Sequence, residues 1–530
     1  MKIKKIYWLL VVMFLLGLIL RLIYFKEITF GWDQARDAFQ ALNIWQGDPI
    51  KIIGPSTAEL PGLHHGSFYW YLISPFYYFS NGNVFVVRIF LILLNLTNIF
   101  VIYLISKTLF KNKNIALLSS FFYTISFEAS QYGRWLSNPS PALLTIPLTF
   151  LGLWLMLNNK KQGIILALIF WALSVHFQFF LVYQIIFIIP VFIWFYKKNN
   201  FKFNWEIFLG FVGSFLILVP FLIAEIKFDF QGLKSFEQLS DSKELLKSFF
   251  DVFSKFIDRI VFTFQLNLFS NLFLSGLLMI LIITLTIYFI VKKNESRKEL
   301  AFLSLWLFSP IIIFFFDRAY AYFITIGNLI PALIIVSYFI ETYSRKLRNK
   351  KIILASILIL IFLGQFTLIL RENKTGESLF SVQKKMILND ELKIIDELYK
   401  ENNGKMFVVN TITNPLFINT TWAYLFNWYG KQKYGYMPIW AGYPQDGQFG
   451  SDTKFTENTD IKGLPFYVII EPPPGIPDHY LGGIPRFENT RSKLLEKKEI
   501  GGFELEKRIL INNNNFDMET VMKVIKQVVP

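Results

Sequence analysis

The sequence predicts a polytopic α-helical membrane protein of about 11 transmembrane helices, followed by a soluble extracytoplasmic α/β domain. Three observations carry that expectation. Of 530 residues, 54% are hydrophobic and only 17% are charged, where a soluble domain would carry roughly 25%. The apolar residues fall in runs close to the roughly 20 residues that a membrane-spanning helix needs. The lysines and arginines gather in short clusters between those runs.

The runs lie near 6–25, 84–106, 114–130, 141–157, 163–177, 179–196, 205–224, 268–291, 300–316, 320–341 and 351–370. The clusters MKIKK, KTLFKNK (107–113), NNKK (158–161), KKNNFK (197–202), KKNESRK (292–298) and SRKLRNKK (344–351) recur at every second junction. Positive charge marks the cytoplasmic side, so the N-terminus is expected inside and the chain beyond about 371 outside. The same pattern explains the net charge of +15 without a nucleic-acid partner. No small-residue cleavage site follows the first apolar run, which therefore reads as a retained span in the plasma membrane. Cysteine is absent, which removes disulfides, zinc–thiolate sites and thiol nucleophiles.

Beyond residue 371 the composition turns ordinary. KMFVVN (405–410), FYVII (466–470) and FELEKRIL (503–510) read as strands, and LNDELKIIDELYK and DMETVMKVIKQVV as amphipathic helices. NNNN (512–515) reads as a turn before the last helix. The expected division is a membrane module over 1–371 and an α/β domain over 372–530. Four segments face outside: a first loop near 26–83, EASQYGRWLSNPS (128–140), a loop over 225–265, and DRAYAY (317–322).

The first loop opens with TFGWDQARDAFQALNIWQGD (29–48). Asp33, Arg36, Asp37 and Gln40 share one helical face, and Trp32, Ala35, Phe39 and Leu42 the opposite one. The apolar face is expected to lie on acyl chains, and charges so near lipid call for a partner or a wet cavity. Next comes IIGPSTAELPGLHHGSFYWYLISPFYYF (52–79), with Gly and Pro punctuation, the pair His64–His65 and an aromatic run.

These segments resemble the GT-C-fold glycosyltransferases of the protein-O-mannosyltransferase and aminoarabinose–lipid A transferase type, in a bacterial or archaeal branch. The acidic pair of that family appears here as Asp33-Gln34 in WDQARD, and its His-Pro-Pro-Leu stretch as HHGSFYWYL. SQYGRWLSNPSP (130–141) is similar to the family's Arg-Trp-x-x-Asn-Pro loop, and AYAYFITIGNLIPALIIV (319–336) to its Tyr-rich late span. The likeness covers roughly residues 1–370.

The resemblance implies transfer of a sugar from a polyprenyl-phosphate carrier to a protein, lipid or glycan acceptor, with inversion at the anomeric carbon. A phosphate leaving group is already a stable anion, so the demand falls on a base for the acceptor hydroxyl and on donors for the departing phosphate. Asp33 is then the base, with Asp37 beside it. Arg134, His64, His65 and Arg318 are the candidates for the donor phosphate. Arg36, Gln34, Tyr69, Tyr71, Asn138 and Tyr320 are the candidates for sugar or acceptor. The resemblance makes no cofactor certain and leaves a divalent metal ion possible: some relatives bind one, and Gln34 in place of a carboxylate makes a poorer hard-cation site here. Simpler roles compete for each residue: interfacial arginines snorkel, histidine pairs cap polar surfaces, and tyrosines belt the interface. Arg21, Arg88, Glu128 and His176 are left outside the site. Two rival classes stay open: an oligosaccharide ligase working on the same side, and a transporter or lipid-handling protein without catalysis. Neither the repeats nor the midplane polar groups common in transporters are evident in the sequence.

Overall fold

The computed structural model describes residues 3–57, 62–199, 204–235, 249–315, 321–380, 383–445, 447–451, 453, 455–456, 461–472, 486–511 and 518–528. The helices in chain order begin with α1 (Ile3–Leu22), α2 (Trp32–Asn43), α3 (Phe68–Phe79), α4 (Val84–Leu96), α5 (Asn98–Phe110) and α6 (Lys113–Ile125). They continue with α7 (Phe127–Arg134), α8 (Ala142–Leu157), α9 (Gln162–Phe177), α10 (Ile185–Lys198), α11 (Trp205–Lys227) and α12 (Phe249–Asn267). The last helices before the sheet are α13 (Leu272–Val291), α14 (Arg297–Phe308), α15 (Leu329–Ser344), α16 (Lys350–Thr375) and α17 (Leu388–Asn402).

Among the described residues, seven helical runs are long and apolar enough to cross a membrane: Lys4–Leu22, Val84–Phe110, Phe179–Lys198, Trp205–Lys227, Leu272–Val291, Arg297–Phe315 and Lys350–Thr375. About 11 were expected, and the other four candidates fall short for identifiable reasons. The run at 114–130 breaks at Ser126, whose hydroxyl caps α7 by accepting from the Ala129 N–H at 2.9 Å. In the run at 320–341 the α-helix starts only at Leu329, after a short 3-10 turn at Tyr322–Thr325 and the left-handed φ of +93° at Gly327. Ala142–Leu157 and Gln162–Phe177 are apolar but short.

The chain divides into two compact units, each continuous in space and discontinuous in sequence. The first comprises 1–23, 49–72 and 88–371 and is helical. Its helices α8 and α9 pack with small residues at the contact: a Cβ on Gly152 would lie 2.3 Å from the Ala167 nitrogen, so only glycine permits this approach.

The second unit comprises 24–48, 73–87 and 372–530. Its five-stranded sheet has the order β2-β1-β3-β5-β4, with β1 (Val408–Ile412) parallel to β2 (Ile439–Trp440) and β3 (Pro465–Ile470). The strands β4 (Ser492–Ile500) and β5 (Phe503–Leu510) form an antiparallel hairpin joined to β3 through β5. All of β1 is buried, as a central parallel strand should be, and Val408, Phe466, Val468 and Leu510 share a core with Val521 of the last helix (Met518–Val528). The expected strands at 405–410, 466–470 and 503–510 and both amphipathic helices are present, shifted by a few residues. NNNN (512–515) lies outside the described residues. The edge strand β4 was not foreseen, because SKLLEKKEI carries lysines and glutamates that protect an exposed edge and hide the alternation.

Candidate functional site

The helix α2 is built as the sequence expected, with one reversal. Its N-terminus is closed by side chains: the Gly31 N–H donates to Gln34 Oε1 at 2.9 Å and the Trp32 N–H to Gln383 Oε1 at 3.0 Å. A Cβ on Gly31 would sit 1.9 Å from Gln383 Oε1, so a side chain there would displace the Gln383 amide from the cap. The face carrying Ala35 and Phe39 does not lie on lipid. Phe39 meets the Tyr424 ring edge-on at 5.3 Å, within the helix Thr420–Leu425, and its ring approaches Gly450 so closely that a Cβ there would be 2.5 Å away. The second unit thus consumes the apolar face that an amphipathic pattern assigns to the bilayer.

The polar face forms a carboxylate–guanidinium–carboxylate set. Arg36 Nη1 donates to Asp33 Oδ1 at 2.6 Å, and Arg36 Nε and Nη2 donate to Asp37 Oδ1 at 3.0 and 2.8 Å. The guanidinium also lies 4.9 Å from the Trp32 ring centre. Burial works against the Arg36 charge, and Asp37 and Asp33 outweigh it, so its pKa stays above the ordinary value. The two carboxylates differ in access: the Asp37 side chain is 3% exposed and that of Asp33 is 51% exposed. Asp33 is therefore the one open to a reactant, with its position set by Arg36. Gln34 is buried and spends Oε1 on the helix cap.

This set does not suit a divalent cation. Both carboxylates already accept from Arg36, so a fixed positive group stands where a metal would need hard oxygen ligands. Among the described residues no group of three or more His, Asp or Glu could hold a metal ion.

In the first unit, the Gly/Pro segment makes a short paired strip. The Gly54 N–H donates to the His65 carbonyl at 2.9 Å, His65 N–H to Pro55 O at 2.8 Å, and Thr57 N–H to Leu63 O at 2.9 Å. The strip holds the two histidines differently. His65 is buried and its Nδ1 accepts from the Phe179 N–H at 3.1 Å, which puts its ring proton on Nε2. His64 is half-buried, and desolvation lowers its pKa against the raising influence of the Gly62 backbone and Glu225. The end of α9 also takes Asn138, whose Nδ2 donates to Phe177 O at 2.8 Å, and the Gly66 N–H donates to His176 O at 3.0 Å. His65 and Asn138, far apart in sequence, are thus gathered on one turn.

Arg134 ends α7 and is buried, with Nη1 donating to the Ile23 carbonyl at 2.7 Å. Tyr69 is buried, and the Tyr71 hydroxyl accepts from the Lys51 N–H at 2.9 Å, tying down the loop. Arg318 and Tyr320 fall outside the described residues. So the structure gathers Asp33, Gln34, Arg36 and Asp37 in the second unit, and His65 with Asn138 in the first.

Sequence reasoning set Glu128 aside, and the structure gives it a buried polar neighbourhood. Glu128 Oε2 accepts from Asn267 Nδ2 at 2.5 Å, and the same amide nitrogen donates to Thr263 O at 2.7 Å. Arg259 lies over the Tyr322 ring at 4.4 Å. A sequence signal existed: Arg259 sits three residues after Phe256 and four before Thr263, on the buried face of α12, where an arginine needs an explanation. The expected loop over 225–265 therefore contains much of a helix.

The family model described as dolichyl-phosphate-mannose-protein mannosyltransferase matches residues 64–223. That stretch holds His64, His65, Tyr69, Tyr71, Arg134 and Asn138, and begins after Asp33. No curated protein matches the chain. Among solved structures, ArnT from Cupriavidus metallidurans in the apo state is similar at 10% identity, with 94% of this chain and 97% of that chain covered and a TM-score of 0.56. The apo oligosaccharyltransferase of Archaeoglobus fulgidus is 12% identical over 93% of this chain and 73% of that one, with a TM-score of 0.49. The fold defines a polytopic membrane protein with a C-terminal α/β unit. More particularly, it is the GT-C fold of the protein-mannosyltransferase and ArnT type, as the sequence resemblance implied.

Proposed function

We propose that this protein is a membrane glycosyltransferase that moves a sugar from a polyprenyl-phosphate carrier to an acceptor hydroxyl on the extracytoplasmic side. The observation that carries the reading is the division of labour on α2: Arg36 and Asp37 are buried as a pair, while Asp33 remains half exposed and oriented by the same guanidinium. The GT-C fold and the mannosyltransferase-family match over 64–223 support it.

In this reading Asp33 takes the proton of the acceptor hydroxyl as its oxygen bonds to the anomeric carbon. The bond from that carbon to the phosphate oxygen breaks, and the carrier leaves as its phosphate anion with inversion of configuration. Base assistance of this kind is worth roughly 10²–10⁴-fold. The family resemblance assigns Arg134, His64 and His65 to the donor phosphate, whose growing anion charged donors would stabilise. Asn138 and Tyr71 are assigned to the sugar or acceptor from the family resemblance. Arg318 and Tyr320 are assigned alongside them from the family resemblance alone. The positive clusters at alternate junctions support a cytoplasmic N-terminus and an extracytoplasmic domain from about 372 onward.

The test is turnover of polyprenyl-monophosphate sugars by the purified protein and by Asp33→Asn, with donor binding measured alongside. Loss of about 10²–10⁴-fold in turnover with donor binding retained supports the assignment. Equal turnover moves the base elsewhere. Absence of both donor binding and turnover in the parent protein rejects the transferase reading in favour of transport.

A further inference from the structure

We propose that Trp45, Tyr78 and Phe79 form an anchor in the headgroup–acyl boundary of the bilayer, which sets the depth at which α2 presents Asp33. Trp45 lies two residues beyond the end of α2. Its indole stacks on Tyr78 with ring centres 4.7 Å apart and planes 20° apart, and Phe79 completes the group at 6.1 Å from Trp45 and 5.4 Å from Tyr78. Despite these contacts Trp45 and Tyr78 are each 46% exposed and Phe79 is 78% exposed. Three large rings left open in one patch call for a partner, since each buries roughly 150–250 Å² when covered.

Chain connectivity identifies that partner. The first membrane-spanning run ends at Leu22 and the second begins at Val84. Phe25, just past the exit, lies 5.6 Å from Phe85, just inside the re-entry, so the chain leaves and re-enters the bilayer at one level. Between Phe79 and that level there is only a fixed turn. The Asn83 N–H donates to Ser80 Oγ at 3.1 Å, the Phe85 N–H donates to Asn83 Oδ1 at 2.9 Å, and Gly82 supplies a left-handed φ of +82°. Phe79 is held within a few residues of the start of the second span. Rings with an apolar body and a polar tip, as in Trp45 and Tyr78, prefer this boundary. The apolar face of α2 is spent on Tyr424 and Gly450, so the helix needs its hold on the bilayer at this end.

The catalytic consequence rests on Asp33 acting as base, but the anchor does not. The chain contains no cysteine, so Phe79→Cys and, in a second protein, Tyr78→Cys each provide a unique site for a nitroxide label. In phosphatidylcholine vesicles, both labels are expected to be reached by dissolved oxygen several-fold more readily than by a water-soluble nickel complex. A label at Asn43→Cys should shift toward the nickel complex when Trp45→Ala and Tyr78→Ala are added. Full access of nickel to both labels overturns the proposal. So does exclusion of both reagents, which marks contact with a second copy, and so does protection from nickel by a soluble sugar, which marks a stacking platform for carbohydrate. None of these readings needs turnover, so they stand or fall separately from the role of Asp33.

Discussion

Replacing Arg36 by glutamine tests whether α2 is built around a buried pair with one reactive carboxylate left over. The guanidinium makes two hydrogen bonds to Asp37, whose side chain is 3% exposed, and one to the half-exposed Asp33. The Asp33 contact is worth at most about 1 kcal/mol because water screens it. Breaking a buried pair by removing one partner costs about 3–5 kcal/mol, since the remaining charge stays desolvated. Arg36→Gln should therefore destabilise the second unit by about 3–5 kcal/mol. For a unit of roughly 200 residues that corresponds to a fall in Tm of about 6–20 °C. Adding Asp37→Asn removes the stranded charge, so the double variant should regain most of the loss. The assay is thermal unfolding of the four proteins of the cycle in detergent. A fall for Arg36→Gln under about 3 °C, or a double variant as unstable as the sum of the singles, refutes the reasoning.

Two further outcomes concern the α/β unit, and both come from buried carboxyls. Burial pushes Glu471 up to about 8 from its ordinary 4.5, even though it accepts from the Asn414 N–H at 2.6 Å and the Trp422 indole at 2.9 Å. The folded state keeps a proton that the unfolded chain gives up, so this contribution to stability is complete below about pH 4.5 and is lost as pH rises toward about 8, at up to about 1.4 kcal/mol per pH unit. Unfolding scans should show a lower Tm at pH 8 than at pH 5.5, and Glu471→Gln should flatten that slope; an unchanged slope sinks the idea. Glu391 is fully buried, its carboxyl oxygens have no hydrogen-bond partner among the described residues, and desolvation together with nearby Glu471 holds it well above the carboxylate range. Glu391→Met should stabilise the unit by about 1–3 kcal/mol by removing an unsatisfied polar group, read as a higher Tm; a lower Tm counts against it.

The sequence by itself determined the membrane class, the apolar runs, the helix at 32–43 and the strands β1, β3 and β5 of the C-terminal sheet. These follow from composition and short-range periodicity, which act within a few residues. It also determined which polar side chains share the face of α2, because a turn of helix puts positions 33, 36 and 37 together whatever the rest of the chain does. Only the tertiary structure decided which of those carboxylates is buried. Asp37 lies close to the buried Tyr77, while Tyr424, Gln383 and Gly450, hundreds of residues away, cover the opposite face of the helix and its capped end. Sequence separation also hid that His65 and Asn138 both bond to the backbone at the end of α9, and that Glu128 meets Asn267. Helix breaks at Ser126 and Gly327 likewise escaped the hydropathy count, since apolarity measures solubility in lipid and does not register a capping hydroxyl or a left-handed glycine. Periodicity states what one helix can offer; partners supplied by loop closure across the chain decide what is left exposed to react.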